Sequence, residues 1–524
     1  SMNYGGIVYS KTGIGFHYLK DYLGEELFDN CMHTYFDKWK FKHPKPHDLE
    51  EVFSLKSNKD LSWFFDDYVN TTNKVDYQIK RVKKINETQY LVRLKNNRGI
   101  PGPTNIIHLT KGENDTLNAF NQTWIDGFKK DTSLIINSKN SPTHFGLDFH
   151  MNTTDFNFQN HLYRTSGIAK NIKPISFKII PYSIKSNSKN QIHFTPTNGW
   201  NYHDKFMIGT ALYNTGIKEK KNEWVLNPMY AFGSKSIVGS GSFTKNINTN
   251  SFFPRISFGY KVKSYHSKFE QIPNLNRWVK QEIFSILRIK EKKLRYTPIQ
   301  KIAISGIKIN EQRHYESGNS IQPPEIIKET DVNYYAQLKY SLFSKQVLKP
   351  KYIEIKYIYG QNNQNELLVS SLQVEANKRW NYNKNRDAIN FRLFGGYNFA
   401  SLDRYNLFVK GQDGYNDYLY DRTYLARNRS FPGIFSQQTS LTHGAFKLNC
   451  KHETEKWLIA SNFVFELPKI PLGLFLDLAS FYKKYNLVNG NTSTLTTVEE
   501  IIYLYNAGIS LNIEINEKPF LGIY

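Results

Sequence analysis

Apolar and polar positions follow three different patterns along the chain, and the first pattern is helical. Over residues 1–75, apolar side chains recur every three or four positions, as on one face of an α-helix. The clearest stripe follows Gly24 and consists of Leu27, Phe28, Cys31, Met32, Tyr35, Phe36 and Trp39. Gly24 is expected to end the preceding helix, and further short helices are predicted over 48–55 and 60–69. The first pattern therefore predicts a short antiparallel helical bundle.

The second pattern covers residues 76–168 and consists of short runs that alternate in polarity. Runs such as 77–82 and 89–94 alternate, and glycines and prolines between 99 and 103 supply a turn. Alternation over short runs that end in turn residues is typical of β-strands. Five to seven such strands are expected here, and they predict a small β-sandwich.

The third pattern covers residues 169–524, where alternation continues through longer segments. Stretches such as 334–342, 353–359 and 372–376 alternate, and aromatic residues stand at segment ends, namely Trp200, Tyr213, Trp224, Tyr230, Trp380, Tyr382 and Trp457. An apolar outer band with aromatic girdles and a polar interior is typical of outer-membrane proteins. The pattern predicts an antiparallel transmembrane β-barrel of about 12–14 strands. The mixed, charged stretch 401–430 predicts a long loop that folds over or into this barrel.

A large soluble β-sandwich or a propeller also alternates and is the alternative for residues 169–524. Three observations favour the barrel. The segments are long enough for tilted membrane strands, the charged side chains fall on one face, and no blade-like repeat occurs. The fold class is therefore predicted as multidomain and mainly β.

Composition narrows the classes of protein further. The sequence has 524 residues and a net charge of +23, but the charge is spread along the chain together with many Asn, Ile and Tyr residues. A Lys- and Asn-rich proteome explains such a charge, so no nucleic-acid partner is predicted. No run of eighteen apolar residues occurs, which excludes a helical membrane protein. Cys31 and Cys450 lie far apart, so we predict neither a disulfide nor a cysteine metal cluster.

A series of motifs in the helical region carries a resemblance to a known family. The motifs, in order, are Tyr-Gly-Gly-Ile-Val-Tyr-Ser-Lys at 4–11, Tyr-Leu-Gly at 22–24, and the segments 35–41, 48–53 and 60–68. The series resembles the C-terminal half of the catalytic region of zinc aminopeptidases of the aminopeptidase N family (gluzincins). The resemblance implies hydrolysis of N-terminal residues from peptides by a zinc-bound water. The order of helices, small sandwich and long β-region is similar to bacterial membrane-associated aminopeptidases that carry a C-terminal barrel.

The zinc site that this resemblance implies is missing from the sequence. A zincin needs two His one helical turn apart with a Glu between them, in the pattern H-E-x-x-H. The pair His452-Glu453 is followed by Lys456 where the second His would stand. We therefore predict no metal-binding and no cofactor-binding residue in this chain and assign zinc to the parent enzyme. The chain is expected to be a fragment that is inactive alone.

Two tyrosines remain as candidate catalytic residues. In the family that the chain resembles, a tyrosine just before a helix stabilises the oxyanion of the tetrahedral intermediate. Tyr9 matches that position, although Thr12 departs from the usual glycine, and Tyr4 falls where several members carry a second active-site tyrosine. A phenol that donates a hydrogen bond to developing negative charge assists acyl transfer without acting as a nucleophile. The alternative is that both rings only pack at the start of the helix.

The resulting hypothesis is the C-terminal part of a zinc aminopeptidase that its own barrel anchors in the outer membrane of a Gram-negative bacterium. Peptide substrates and the lipid bilayer are the expected partners, and the peptidase part would be periplasmic or surface-exposed. One alternative is a non-catalytic outer-membrane channel or assembly component with a degenerate peptidase-like module. A soluble, basic, all-β binding protein is the other. The coding sequence upstream of Ser1 tests the first alternative, because an H-E-x-x-H motif there would support the enzyme, and extraction without detergent tests the second.

Overall fold

The computed structural model describes most of the chain in two compact units. The described residues are 5–72, 74–113, 116–179, 188–215, 220–249, 251–267, 275–291, 298–317, 325–344, 346, 350–383, 387–411, 414–427, 438, 440–447, 450–468, 470–488, 495–515 and 518–523. The first unit comprises 1–178 with 182–192, and the second comprises 179–181 with 193–524. The fold is mainly β with few helices. Within the described ranges, none of the helices is both long and apolar enough to cross a membrane.

In the described part of the first unit, the α-helices and π-helical turns all lie before residue 70, and one short 3-10 helix follows at Phe158–Asn160. Those before residue 70 are a π-helical turn at Gly5–Lys11, α1 at Thr12–Leu23, α2 at Glu25–Trp39, α3 at Pro46–Ser57 and a second π-helical turn at Trp63–Val69. Gly24 joins α1 to α2 with a φ of 87°, in the left-handed region that favours glycine. The predicted helix end at Gly24 is confirmed.

The helices share an aromatic core, but only part of the predicted stripe on α2 reaches it. The core contains Tyr18, Leu19, Leu23, Cys31, Phe53, Leu61, Trp63, Phe64 and Phe65. Phe28 and Met32 are half-buried against this core, whereas Phe36 is 64% exposed. Tyr35 and Trp39 are half-buried, so among the described residues of the stripe Phe36 is the one that is largely uncovered.

Seven short strands follow in the described residues between 74 and 164. They are β1 Tyr77–Lys84, β2 Gln89–Asn96, β3 Thr104–Lys111, β4 Leu117–Ile125, β5 Asp131–Asn137, β6 His144–Leu147 and β7 Leu162–Arg164. Strands β1, β2 and β5 form one antiparallel sheet, and β4, β3, β6 and β7 form another. The two sheets share one apolar core, to which Tyr77, Val92 and Leu94 contribute from one sheet and Ile106, Phe145 and Leu147 from the other.

Side chains of α1 fasten the helices to these sheets. The Tyr18 hydroxyl donates a hydrogen bond to the Pro103 carbonyl oxygen, and the Tyr22 hydroxyl donates to Asp126 Oδ1 at 2.9 Å. The Tyr22 ring also meets Trp124 of β4 edge to face at 5.6 Å. These contacts fix α1 on the small sheets. The candidate catalytic residue Tyr9 lies just before α1.

The rest of the chain forms one large antiparallel sheet. Its strands are β8 Ile175–Ile179, β9 Asn190–Asn201, β10 Lys205–Tyr213, β11 Asn222–Ala231, β12 Ser236–Asn248, β13 Arg255–Ser267, β14 Asn276–Arg288, β15 Ile299–Ser317, β16 Glu325–Ser344, β17 Lys351–Asn362, β18 Leu367–Asn381, β19 Ala388–Ser401, β22 Trp457–Glu466, β23 Leu472–Val488, β24 Leu495–Ile515 and β25 Lys518–Ile523. The short strands β20 Leu407–Phe408 and β21 Glu453–Thr454 pair separately. Each strand of the large sheet pairs with its neighbour in sequence, and β19 pairs with β22.

The number of strands corrects the sequence-based expectation. The alternating segments predicted 12–14 strands, whereas the sheet has 16 among the described residues. The two edge strands, β8 and β25, contain only five and six residues, which is too short for alternation to reveal them. In the described parts of the chain β8 and β25 are not paired with each other, so the sheet is open.

The sheet curls towards one face. Asp204 lies in the turn between β9 and β10 and binds His266 of β13 at two points. The imidazole Nδ1 of His266 lies 2.7 Å from the Asp204 carboxylate, and the backbone N–H of His266 donates a hydrogen bond to the same carboxylate at 3.1 Å. Strands β10 and β13 are three positions apart, about 14 Å in a flat sheet at about 4.8 Å per strand. Side chains bridge this separation only because the sheet is strongly curved.

The two faces of the curled sheet have inverted polarity. In β23, Phe475, Asp477 and Ala479 are buried, and Leu474, Leu476 and Leu478 are exposed. The inner surface, which we call the polar face, buries Lys280, Glu311, Gln373, Arg392 and Asp477. The outer surface, which we call the apolar face, exposes Ile283, Ile304, Leu338, Val374, Leu393, Leu476 and Ile501. Buried charged side chains therefore lie on one face of the sheet and exposed aliphatic side chains on the other.

The predicted loop at 401–430 is longer than the sequence indicated. Ser401 is the last residue of β19, and the connection to β22 continues to residue 456. We call residues 402–456 the inner segment, because its described parts contact the polar face. In its described parts the segment pairs with itself, as β20 does with β21, and these strands are too short for an alternating pattern to mark where the segment ends.

Candidate functional site

Tyr9 lies in the π-helical turn that leads directly into α1. Its side chain is 71% exposed. The turn and α1 are continuous, so the position of Tyr9 is set by α1, which Tyr18 and Tyr22 fasten to the small sheets. π-Helical turns are rare and often occur at functional sites. An exposed phenol on a fixed helix can reach a ligand that binds beside the helix.

An apolar cavity of about 200 Å³ lies beside the first residues of α1, and the first of its lining residues in the sequence is two positions after Tyr9. Its lining residues are Lys11, Thr12, Phe16, Pro46, Leu49, Phe64, Phe65, Tyr68 and Val69. Sequence reasoning missed this cavity, although Phe64, Phe65 and Tyr68 belong to a motif that carried the family resemblance. The many aromatic residues of that motif were a sequence signal for the cavity. Helical spacing alone, however, does not show which rings line a cavity.

Lys11 and Tyr68 hold one wall of the cavity together. The Tyr68 hydroxyl donates a hydrogen bond to the Lys11 carbonyl oxygen at 2.7 Å, and the Lys11 ammonium lies 5.0 Å from the centre of the Tyr68 ring. Lys11 Nζ also donates to the carbonyl oxygen of Thr71 at 3.3 Å. Burial raises the pKa of the Tyr68 phenol, so this group stays protonated and keeps donating. The wall therefore fixes the backbone just after Tyr9.

Gly15 is required for the close approach of Tyr68 to α1. A Cβ atom at Gly15 would lie 2.3 Å from Tyr68 Cε1, whereas a Cβ at Gly13 meets nothing within 4 Å. We expect Gly15→Ala to lower the free energy of unfolding of the first unit by up to about 2 kcal/mol, since overpacking costs about 1–3 kcal/mol and the gain in helix propensity returns about 1 kcal/mol. Gly13→Ala is the matched control and is expected to stabilise the unit slightly. Thermal unfolding of both variants measures the difference, and equal shifts would contradict the packing argument.

The second candidate, Tyr4, lies outside the described residues. The described part of the chain therefore presents Tyr9 alone of the two predicted catalytic tyrosines. His452 and Glu453 lie in the inner segment of the second unit, and Glu453 is in β21.

The residues that the structure describes do not fit a zinc ion. Catalytic zinc takes three protein ligands from His, Glu, Asp or Cys. No group of three or more such side chains is placed to hold a metal ion anywhere in the described ranges. No step of catalysis is therefore derived from a metal bound by these residues.

Comparison with known proteins supports a peptidase relationship for the first helices. The sequence model of the peptidase family M1 domain matches residues 1–68. These residues comprise the first π-helical turn, which contains Tyr9, the helices α1, α2 and α3, and nearly all of the second π-helical turn. They therefore include most of the cavity wall. No curated protein matches the chain. The match suggests a peptidase-like function, and M1 peptidases are zinc-dependent in general.

Proposed function

We propose that this chain is the C-terminal part of a membrane-anchored zinc aminopeptidase. In this proposal Tyr9 stabilises the oxyanion during hydrolysis of N-terminal residues from peptides, and the second unit is an outer-membrane β-barrel that anchors the enzyme. The observation that carries the proposal is the match of residues 1–68 to the M1 domain, with Tyr9 exposed before α1.

The role proposed for Tyr9 is that of a hydrogen-bond donor. As a nucleophile attacks the peptide carbonyl, the carbonyl oxygen acquires negative charge, and a fixed donor stabilises that charge more than it stabilises the substrate. The phenol keeps its proton throughout. Zinc and its ligands would come from a part of the enzyme other than the described residues, and zinc would supply Lewis-acid chemistry there.

Exposed apolar side chains on the helices support a larger catalytic domain. The side chains that are at least half exposed are those of Ile14, Phe36 and Leu55, and that of Val69 is nearly half exposed. In the proposal these side chains contact further protein. The proposal assigns this surface to the part of the peptidase that bears the metal.

The inverted polarity of the large sheet supports the membrane anchor. Lipid-facing strands of outer-membrane barrels expose an apolar band and enclose polar side chains, as the apolar and polar faces do here. Sixteen antiparallel strands in neighbour-to-neighbour order suit such a barrel, which the proposal closes by pairing β8 with β25. A bilayer would remove the exposed leucines and isoleucines from water, which stabilises by about 25 cal/mol per Å² of apolar surface buried.

Expression of the complete gene product in a Gram-negative host tests the proposal. We expect the protein in the outer-membrane fraction, resistant to alkaline carbonate and released by detergent, with aminopeptidase activity that a zinc chelator abolishes. Recovery in the soluble fraction would remove the anchor from the proposal. Membrane recovery without any aminopeptidase activity would remove the enzyme.

A non-catalytic outer-membrane component is the second candidate. The lack of a metal-binding group among the described residues favours it. In that case the first unit would be a degenerate peptidase-like module that serves as a docking surface. The activity measurement on the complete gene product separates the two candidates.

A further inference from the structure

We propose that the inner segment is a resident plug that closes the polar interior of the second unit to ions and small solutes. This inference rests on the proposed membrane barrel. The described parts of the segment, 402–411, 414–427, 438, 440–447 and 450–456, bind the polar face through buried charges and through packed rings at separate places on the sheet. A barrel of sixteen strands would otherwise enclose an aqueous channel.

The first anchor of the plug is on β14 and β15. Arg404 forms a bidentate ion pair with Glu311 of β15, at 2.5 and 2.9 Å, and the hydroxyl of Tyr420 donates to the same carboxylate. Lys280 of β14 pairs with Asp421 of the segment at 2.5 Å. Glu311 is almost fully buried. A buried carboxylate with this many donors binds them strongly, because it has no water to replace them.

Stacked rings reinforce the first anchor. The Tyr420 ring stacks on Trp278 of β14 at 4.0 Å with an interplanar angle of 18°. The guanidinium of Arg427 lies 4.7 Å from the Tyr420 ring and pairs with Asp417 at 2.9 Å. Tyr405 and Tyr418 join the same buried cluster with Tyr335 and Ile309 of the sheet. The segment and the sheet therefore share an apolar cluster next to the buried charges.

The second anchor is on β19, β22 and β23. Lys447 donates to Asp477 of β23 at 2.6 Å, and both side chains are buried. Asn462 of β22 donates to the Gly444 carbonyl oxygen at 3.0 Å, and Arg392 of β19 donates to the His443 carbonyl oxygen at 2.8 Å. Leu407, Val409 and Phe446 of the segment pack with Phe481 and Leu458 of the sheet.

The positions of the two anchors show that the plug crosses the interior. Glu311 and Asp477 stand on β15 and β23, six positions apart in the sheet, about 29 Å along a flat sheet at about 4.8 Å per strand. A third contact reaches the other side, where the Tyr202 N–H in the turn between β9 and β10 donates to the Leu425 carbonyl oxygen at 2.8 Å. One segment thus binds the sheet at three separated places, as a plug does and a surface loop does not.

Current through planar lipid bilayers tests the plug. The full chain is reconstituted, insertion is first established by co-flotation with liposomes of phosphatidylethanolamine and phosphatidylglycerol, and KCl is the probe electrolyte. We expect the wild-type protein to insert and to carry no steady current. The double variant R404Q/K447Q loses one charge from each anchor and is expected to raise the mean conductance at least about tenfold, because the open-to-closed ratio shifts with the lost anchoring energy.

The control variant is Lys484→Gln. It breaks the exposed pair between Lys484 of β23 and Glu499 of β24, at 3.9 Å, and is expected to stay silent. A second measurement needs no variant, since moderate urea is expected to release the segment and open the inserted wild-type protein reversibly while the sheet persists.

The outcomes separate the plug from the membrane proposal. Failure of the wild-type protein to float with liposomes overturns the membrane anchor. Insertion with a steady wild-type current overturns the plug and leaves the anchor intact. An inserted double variant that remains silent, or a wild-type protein that urea never opens before it unfolds, also overturns the plug.

Discussion

Replacement of Tyr9 by phenylalanine is expected to lower the kcat of the complete enzyme by about 10²-fold or more and to leave KM nearly unchanged. The substitution removes one hydroxyl from an exposed side chain, so the fold has little to lose. A donor that acts on the oxyanion contributes in the transition state and hardly at all in the bound substrate, which is why kcat falls and KM does not. Initial rates on an aminoacyl anilide over a range of concentrations give both constants.

Tyr35→Phe is the matched control for this experiment. Tyr35 is a half-buried tyrosine on α2 within the same helical region, and it has no proposed role in catalysis. We expect its kcat to equal that of the wild type. Thermal unfolding of both variants verifies that the fold is kept. Unchanged turnover of Tyr9→Phe would refute the assignment of Tyr9 and leave its ring as a packing residue before α1.

The largest expected effect on stability comes from Asp477→Ala. The carboxylate of Asp477 is fully buried and accepts three hydrogen bonds, from Lys447 Nζ, the Lys447 backbone N–H and Asn462 Nδ2. Its removal leaves a buried ammonium without its carboxylate, which costs about 3–5 kcal/mol. Urea unfolding in detergent, followed by tryptophan fluorescence, measures the change in the free energy of unfolding.

An exposed ion pair on the same strand provides the comparison for Asp477. Lys484→Ala removes one partner of the pair with Glu499, whose side chains are both about half exposed. Such pairs contribute about 0–1 kcal/mol, so the control variant is expected to unfold close to the wild type. Equal destabilisation by the two substitutions would show that Asp477 gains nothing from its buried partners.

The sequence predicted those parts of the fold that follow a regular spacing. The predicted end of α1 at Gly24 is confirmed. The sequence could predict it because a glycine at a helix end is a strong local signal. Alternation revealed the long strands of the large sheet, since one face meets polar groups and the other does not. The short edge strands β8 and β25 escaped, because five or six residues are too few to establish a period.

Contacts between residues distant in sequence could not be predicted. The pairing of Arg404 with Glu311 joins positions 93 apart, and no local pattern marks either residue as a partner of the other. The cavity after Tyr9 likewise depends on how Phe16 of α1 meets Leu49 of α3 and Phe64. Motif order pointed to Tyr9, but the walls beside it follow from tertiary packing, which spacing along one helix does not encode.

The neighbour-to-neighbour order of the large sheet has a consequence for how the protein assembles. A strand that pairs only with its predecessor can be added as a hairpin, so most contacts form between residues close in sequence. The inner segment is the exception, since it must bind β14 and β15 long before it in the chain and β22 and β23 just after it. In the barrel that we propose, the segment therefore has to enter before β8 and β25 pair, so closure would depend on a segment that adds no strand to the large sheet.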